Sequence, residues 1–257
     1  MPKIVWLTDI HMTLPGEAVN GRDPAAALTR CIDHILRHHA DADLAAVTGD
    51  LADTGAAEEY ARVRVELDRL PMPVAITLGN HDRTEGHRAV FGEAEGAALG
   101  HTSLSVNLGE RWRCLLLDTN GTDASQGDLA IDRLDWLAAE LDAARHRRYL
   151  LLLHHPPARV GLPGFDAIGL RESARLGLAA VLGRHRERIA LIGFGHCHMP
   201  IAGAVAGIPM VGMGSVLYRV RPDFEGNGFD PVPWDPGVYG VILLGPAGPV
   251  VHTVATG

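Results

Sequence analysis

The chain has 257 residues, of which 47% are hydrophobic and 21% are charged, a balance that excludes a disordered protein. Its formal net charge of −8 leaves no basic surplus to neutralise phosphates, so nucleic acid is excluded as an expected partner. No apolar run reaches the length of a membrane span, and the three cysteines are too few for a disulfide framework. We expect a cytoplasmic protein, because the first predicted strand begins at about Lys3 and leaves no room for a signal peptide.

The first 82 residues alternate between predicted strands and helices. Apolar runs predict three buried strands, at Ile4–Leu7, Leu44–Val47 and Val74–Leu78. Helical spacing of apolar residues predicts two helices between them, from Pro24 to about His38 and over about residues 56–70. This βαβαβ order is typical of a parallel sheet with right-handed crossover connections.

The remaining sequence predicts further strands and helices. They are a hairpin over 103–108 and 111–119, a helix carrying Leu129 to Leu141, strands at 149–153 and 189–194, and a helix at 172–185. Four short strands, predicted to be antiparallel, follow at 201–205, 208–212, 238–244 and 250–254. We predict a single α/β domain over residues 1–257, with its core in 1–212 and C-terminal strands in 213–257.

Polar residues follow five of the predicted strands. They are Asp9 and His11, Asp50, Asn80 and His81, His154, and His196 and His198. Ligands of open α/β sheets bind beyond the carboxyl ends of the strands, so we expect these side chains to meet at one site. Carboxylate, imidazole and amide oxygen ligands without a thiolate suit Mn, Fe, Zn or Co. The sequence therefore predicts a metal centre.

In chain order these motifs read DxH, GD, GNHD, H and GHxH, and they resemble the calcineurin-like metallophosphoesterases. The sequences GDLAD at 49–53 and HHPP at 154–157 resemble the bacterial branch of cyclic-nucleotide and glycerophosphodiester phosphodiesterases. The resemblance implies a four-layer α/β/β/α sandwich with mixed sheets. It also implies an enzyme that hydrolyses a small-molecule phosphodiester with two metal ions.

The resemblance implies a role for each motif residue. One ion would be held by Asp9, His11, Asp50 and His198, and the second by Asp50, Asn80, His154 and His196. Asp50 would bridge the two ions. His81 would act on the substrate, by stabilising developing charge or protonating the leaving alkoxide, and Asp82 would orient its ring. Two divalent ions, two carboxylates and a hydroxide give the centre a charge of about +1, which matches a phosphodiester monoanion.

Several residues keep more than one interpretation. His155 is an alternative to His154 as a ligand, or a residue behind the ligands. Asp118 to Asn120 either line the site or form a turn, and Arg22, Arg219 and Arg221 either meet a phosphate or lie in solvent. Seven further histidines are expected in solvent: His34, His38, His39, His87, His101, His146 and His185. Cys197 is expected to pack away from the metals, because neighbouring side chains in extended backbone point oppositely.

Two segments, Met12–Arg22 and 218–237, are long enough to reach over the site. The second is predicted to be either a lid or a contact between copies of the chain, with Phe224, Phe229 and Trp234 as anchors. Two other functions stay open on the same fold: a phosphomonoesterase or nucleotide-pyrophosphate hydrolase, and an interaction scaffold without activity.

Overall fold

The structure, a computed structural model, describes residues 1–93, 100–121, 126–233 and 236–256. The strands are β1 (Lys3–Leu7), β2 (Leu44–Thr48), β3 (Val74–Thr77), β4 (Leu104–Leu108), β5 (Trp112–Leu117), β6 (Arg148–Leu153), β7 (Ile189–Phe194), β8 (Ile201–Val205), β9 (Ile208–Gly212), β10 (Val238–Leu244) and β11 (Pro249–Ala255). The helices are α1 (Pro24–His38), α2 (Ala57–Leu67), α3 (Thr84–Phe91), α4 (Ile131–Ala143), α5 (Pro163–Ile168) and α6 (Glu172–His185).

The strands form two mixed sheets. The first has the order β11-β10-β1-β2-β3, in which β1, β2 and β3 are parallel and β10 is antiparallel to β1. The second has the order β4-β5-β6-β7-β9-β8, with antiparallel pairs only at its two edges. The prediction that all the tail strands are antiparallel is wrong for β9, which runs parallel to β7. The reason is that β8 returns along the edge and the turn at Ala206 and Gly207 then places β9 between β8 and β7.

The two sheets pack face to face between two layers of helices. Trp6 lies fully buried between the sheets, and its indole N–H donates to the Thr48 hydroxyl at 2.8 Å. The opposite face of the first sheet packs against α1 and α2, and that of the second packs against α4 and α6. The predicted four-layer α/β/β/α sandwich with mixed sheets is therefore confirmed.

Two helices, α3 and α5, are absent from the sequence-based prediction. They have eight and six residues, which is too short for apolar periodicity to distinguish a helix from a loop. Both matter for the site, since α3 follows the GNHD motif directly and α5 delivers two side chains to the cavity described below. Within the described ranges, no helix is both long and apolar enough to span a bilayer.

Candidate metal centre

The backbone at five of the predicted ligands lies in the left-handed region. The φ angles are 55° at Asp9, 50° at His11, 49° at Asp50, 65° at His196 and 53° at His198. Side chains other than glycine rarely adopt this region, and such strain concentrates at functional sites. The loops after β1, β2 and β7 therefore carry a conformational cost that aims these side chains inward.

Close backbone packing brings the loops together. The His11 N–H donates to the Asp50 carbonyl at 2.8 Å, which joins the loop after β1 to the loop after β2. A Cβ on Gly79 would lie 2.3 Å from the Asp50 carboxylate, and one on Gly195 would lie 2.0 Å from the Thr8 hydroxyl. Glycine is required at both positions because any side chain would push the motifs apart.

His11 and His198 point their Nε2 atoms at each other across 3.1 Å. The Nδ1 of His198 donates to the Tyr218 carbonyl at 3.1 Å, and that of His11 to the Asp53 carboxylate at 3.2 Å. Carbonyl and carboxylate oxygens accept only, so both Nδ1 atoms carry a proton, and in the neutral form of each ring the Nε2 atom then carries a lone pair. Two such lone pairs at this separation repel unless a proton or a metal ion lies between them, and this is the arrangement of metal-binding histidines.

The second half of the centre surrounds His154. Its Nδ1 donates to the Thr48 carbonyl at 2.9 Å, and its Nε2 lies 3.2 Å from Asn80 Oδ1, 3.4 Å from Asp50 Oδ2 and 3.3 Å from His196 Nδ1. Burial lowers the pKa of His154, but the Asp50 carboxylate, the Asp9 charge and the hydrogen bond to the Thr48 carbonyl together outweigh it and raise this pKa to about 9. The carboxylates around this ring therefore favour positive charge at this part of the site.

Two carboxylates are buried in this centre. Asp9 is fully buried and Asp50 is 2% exposed. Burial raises the pKa of each, but the nearby imidazoles, His198 beside Asp9 and His154 beside Asp50, hold both below their usual range. Neither pairs with a lysine or arginine in the part of the chain that the structure describes. Buried ionised carboxylates need compensating charge, so this donor set fits bound cations.

His81 is held by a different group from the one predicted. Its Nδ1 donates to the backbone carbonyl of Asp53 at 2.7 Å, and its side chain is 40% exposed. The prediction that Asp82 orients this ring is therefore wrong. Asp53 was not singled out from the sequence, although it is the last residue of the GDLAD motif. It positions both His11, through its carboxylate, and His81.

Asp82 ties the loops after β2 and β3 together instead. Its buried carboxylate accepts hydrogen bonds from the backbone N–H groups of Leu51, Ala52 and Gly79 and from the Tyr60 hydroxyl. Burial and the Asp50 charge raise the pKa of Asp82 to about 6. The residue supports the backbone of the motifs from behind.

The structure also places His155, Cys197 and Arg22. His155 is fully buried beside His154 and His196, with its Nδ1 2.9 Å from the Thr119 hydroxyl. Cys197 is buried in the core of the second sheet, as predicted. The Arg22 guanidinium donates to a backbone carbonyl, that of Val232, and lies over the Tyr218 ring.

The prediction that seven histidines lie in solvent is wrong for three of them. His87, His101 and His185 are buried. His87 lies on α3, where it stacks on Phe91 and meets the Tyr60 ring edge-on. Since α3 was not predicted, nothing in the sequence pattern indicated that this ring would face the core.

A cavity of about 200 Å³ opens over the centre. Its floor, as we name the polar side, is formed by His11, Asp50, Asn80, His81, His196 and His198. Its wall, as we name the largely apolar remainder of the lining, is formed by Phe165 and Ile168 from α5 and by Tyr218, Val220 and Phe229 from the segment after β9. Among the described residues that line the cavity, none is a lysine or an arginine.

The family model described as calcineurin-like phosphoesterase matches residues 2–200. The chain belongs to the calcineurin-like phosphoesterase family. This confirms the predicted family and a hydrolase of phosphoric esters. The matched segment contains all five sequence motifs, and the calcineurin-like fold explains why they meet at the carboxyl ends of β1, β2, β3, β6 and β7.

Curated relatives of this calcineurin-like phosphoesterase are phosphodiesterases by name. A "probable cyclic nucleotide phosphodiesterase" of Rhodopseudomonas palustris is 32% identical over 97% of this chain and 91% of its own length. A "probable glycerophosphodiester phosphodiesterase" of Arcobacter nitrofigilis is 33% identical over 76% of this chain and 71% of its own. The 3′,5′-cyclic adenosine monophosphate phosphodiesterase of Pseudomonas aeruginosa is 33% identical over 67% and 62%.

Solved structures support the fold of this calcineurin-like phosphoesterase. A purple acid phosphatase from yellow lupin has a TM-score of 0.64 at 13% identity. The match covers 99% of this chain and 51% of the phosphatase chain. GAP50, the anchor in the inner membrane complex of Plasmodium, has a TM-score of 0.66 at 11% identity and covers 99% of this chain and 84% of its own. At such identities the likeness concerns the fold alone.

Among the described residues of this calcineurin-like phosphoesterase, four groups of His and Asp side chains converge closely enough to hold metal ions. They are Asp9, His11 and His198; His11, Asp50 and His81; Asp9, Asp50 and His154; and His154, His155 and His196. Asp50 belongs to two of these groups and lies between the two halves of the centre.

Proposed function

We propose that this calcineurin-like phosphoesterase is a dinuclear-metal-dependent phosphodiesterase that acts on a small-molecule phosphodiester of the cyclic-nucleotide or glycerophosphodiester type. The observation that carries the proposal is the facing pair of Nε2 atoms of His11 and His198 beside the buried carboxyl groups of Asp9 and Asp50. The relatives that cover most of this chain are phosphodiesterases by name, which supports the substrate class.

Two sets of residues would hold the ions, with Asp50 shared between them. Asp9, His11, Asp50 and His198 would form one set, and Asp50, Asn80, His154 and His196 the other. The separate contacts of Asp50 with His11 at 3.6 Å and with His154 at 3.4 Å support a bridging role. The ion types stay open among Mn, Fe, Zn and Co, because this mixed set of nitrogen and oxygen donors suits all four.

The bound ions would lower the pKa of water, polarise the phosphoryl group and orient the entering and leaving oxygens. The residues of the chain would then position and protonate the substrate. His81 lines the cavity, and its Nδ1 is engaged by Asp53, which leaves Nε2 for the leaving oxygen. Burial lowers the pKa of His81, but the Asp50 charge, the hydrogen bond to the Asp53 carbonyl and the Asp53 charge together outweigh it and leave this pKa above its usual value. A protonated Nε2 suits donation to the alkoxide.

The cavity favours a diester over a monoester. A phosphomonoester dianion carries one more negative charge, and the described lining residues include no lysine or arginine to balance it. The experiment compares turnover of bis(p-nitrophenyl) phosphate with that of p-nitrophenyl phosphate by the Mn-loaded protein. We expect preference for the diester; clear preference for the monoester would overturn the proposal. An interaction scaffold would instead show no bound metal by elemental analysis and no turnover after addition of Mn.

The C-terminal segment was predicted to be either a lid or a contact between copies of the chain, and both roles stay proposals. Tyr218, Val220 and Phe229 line the cavity, which supports a covering role. Phe224 is 69% exposed and lines a different groove, so a contact between copies of the chain there stays a prediction that size-exclusion chromatography can test. Trp234, the third predicted anchor, lies outside the described residues. The cytoplasmic location and the extent of the single domain also stay predictions.

A further inference from the structure

Phe229 is the most exposed of the wall side chains, since Ile168 and Tyr218 are partly buried and Val220 is buried. Phe229 is 42% exposed, whereas Phe165 beside it is 5% exposed. Exposing an aromatic ring at the mouth of a site has a hydrophobic cost, and such exposure is typical of ligand contact. Phe229 is therefore the wall residue most available to a substrate.

Phe165 and α5 support the Phe229 ring from behind. The two rings are 4.8 Å apart at 88°, an edge-to-face pair. A Cβ on Gly164 would lie 3.1 Å from the tip of the Phe229 ring, so the ring rests on α5 where that helix has no side chain. Phe165 also meets the His196 ring at 5.7 Å. These contacts fix Phe229 relative to the floor.

The backbone around Phe229 is held by hydrogen bonds of its own. The Asp223 carboxylate accepts from the N–H groups of Glu225, Gly226 and Gly228. After Phe229, the Asp230 carbonyl accepts from the Arg221 N–H at 2.8 Å. The ring is thus presented by an ordered turn, and its position costs little conformational entropy when a ligand binds.

The wall offers little to a polar substituent. Its only hydroxyl belongs to Tyr218, and this hydroxyl already interacts with the Asn20 side chain. A glycerol substituent would place hydroxyl groups against apolar side chains, and buried hydroxyls without partners are costly. A planar aromatic substituent is favoured against this wall, because each of its faces can stack on a phenyl ring.

We propose that Phe229 is a specificity-determining residue that stacks on a planar aromatic substituent of the phosphodiester, such as the base of a cyclic nucleotide. The inference rests on the proposed function and narrows it, since it selects cyclic nucleotides over glycerophosphodiesters. The phosphate would lie on the floor and the ring of the substituent on Phe229, across the same cavity.

The test compares steady-state kinetics of Phe229→Ala, Phe229→Leu and Phe229→Trp on 3′,5′-cyclic adenosine monophosphate and on glycerophosphoethanolamine. For the cyclic nucleotide, we expect Phe229→Ala to raise KM about tenfold with kcat nearly unchanged, Phe229→Leu to resemble Ala, and Phe229→Trp to stay near wild type. The wild-type KM for glycerophosphoethanolamine should be higher than that for the cyclic nucleotide, and the substitutions should change it less than about twofold. Phe224→Ala is the matched control, because Phe224 is exposed in the same segment but does not line this cavity.

Equal KM changes on both substrates, full retention of affinity by Phe229→Leu, or a lower wild-type KM for glycerophosphoethanolamine would overturn the inference. Calorimetric binding of the slowly hydrolysed phosphorothioate of cyclic adenosine monophosphate gives a readout that needs no turnover. If the protein hydrolyses bis(p-nitrophenyl) phosphate but substitutions at Phe229 do not change this binding, the stacking role is wrong and the proposed function stands. If substitutions at Phe229 weaken this binding but the protein hydrolyses no diester, stacking is supported and the proposed function is wrong.

Discussion

The floor and the wall of the cavity are built from different parts of the chain. The floor lies at the carboxyl ends of β1, β2, β3 and β7, where side chains on strained backbone meet. The wall comes from the six-residue helix α5 and the irregular segment after β9. In our proposal the metal ions are held at the strand ends, whereas the choice of substrate is set by the connections between elements, which can change without disturbing the sheets.

Tyr218 joins the two regions. Its carbonyl accepts the hydrogen bond from His198 Nδ1, and its ring lies 4.5 Å from the His198 ring. Ser215, a few residues earlier, donates from its hydroxyl to the Asp9 carbonyl at 2.7 Å. The start of the wall segment therefore supports the floor, and only its later part, around Phe229, is free to serve substrate choice alone.

The largest expected effect comes from Asp50→Ala in the floor. Removing the carboxylate shared by both halves should lose both metal ions and reduce turnover of every diester to background. Elemental analysis and activity on bis(p-nitrophenyl) phosphate measure this. Asp68→Ala, which removes an exposed carboxylate at the end of α2, is the control. If the Asp50→Ala protein keeps two metal ions and full turnover, the proposal that Asp50 bridges the ions is wrong.

His81→Ala should separate protonation from metal binding within the floor. We expect both metals to stay bound while the rate on an alkyl diester falls by about 10²–10⁴-fold, the range for a general acid. The loss should be smaller on bis(p-nitrophenyl) phosphate, because p-nitrophenolate leaves without needing a proton. Equal losses on both substrates would argue against proton donation.

Asp53→Ala should weaken the floor through its hydrogen bonds. The Asp53 carboxylate holds His11 Nδ1, and loss of such a partner typically costs about 10–100-fold in metal affinity. Titration of the metal-free protein with Mn measures the affinity. Asp53→Asn retains a side-chain oxygen for His11 and should keep most of the Mn affinity. An unchanged affinity in Asp53→Ala would show that the contact between Asp53 and His11 is dispensable.

Asp223→Ala should affect only the wall, and by the smallest amount. Losing the acceptor for three backbone N–H groups loosens the turn that presents Phe229, so we expect KM for the cyclic nucleotide to rise about threefold without loss of metal. Elemental analysis beside the kinetics checks both parts. A fall in metal content would show that the wall and floor are not separable here.

The floor could be predicted from the sequence because its residues follow apolar strands directly, and parallel strands bring their carboxyl ends to one edge. The group that holds the His81 ring could not be predicted from the sequence. His81 and Asp82 are neighbours in sequence, but the Asp82 carboxylate faces the backbone of the adjoining loops, whereas the carbonyl that holds His81 comes from Asp53 in another loop. Only the folded arrangement of β2 and β3 brings that carbonyl into reach.

The wall was less predictable for a different reason. The irregular segment after β9 was expected to reach the site, but nothing in it indicated that Phe229 faces inward while Phe224 does not. Phe165 lies on a helix too short to show periodicity. Packing of α5 against the C-terminal segment decides which ring lines the cavity, and that contact joins residues far apart in sequence.

The central claim is that the floor holds two metal ions with Asp50 between them. Anomalous diffraction from crystals of the Mn-loaded protein tests it most directly. We predict two anomalous peaks about 3.5–4 Å apart, the spacing of two-metal hydrolytic sites. One peak should contact Asp9, His11 and His198, the other Asn80, His154 and His196, and Asp50 should contact both. A single peak, or peaks away from these side chains, would contradict the claim.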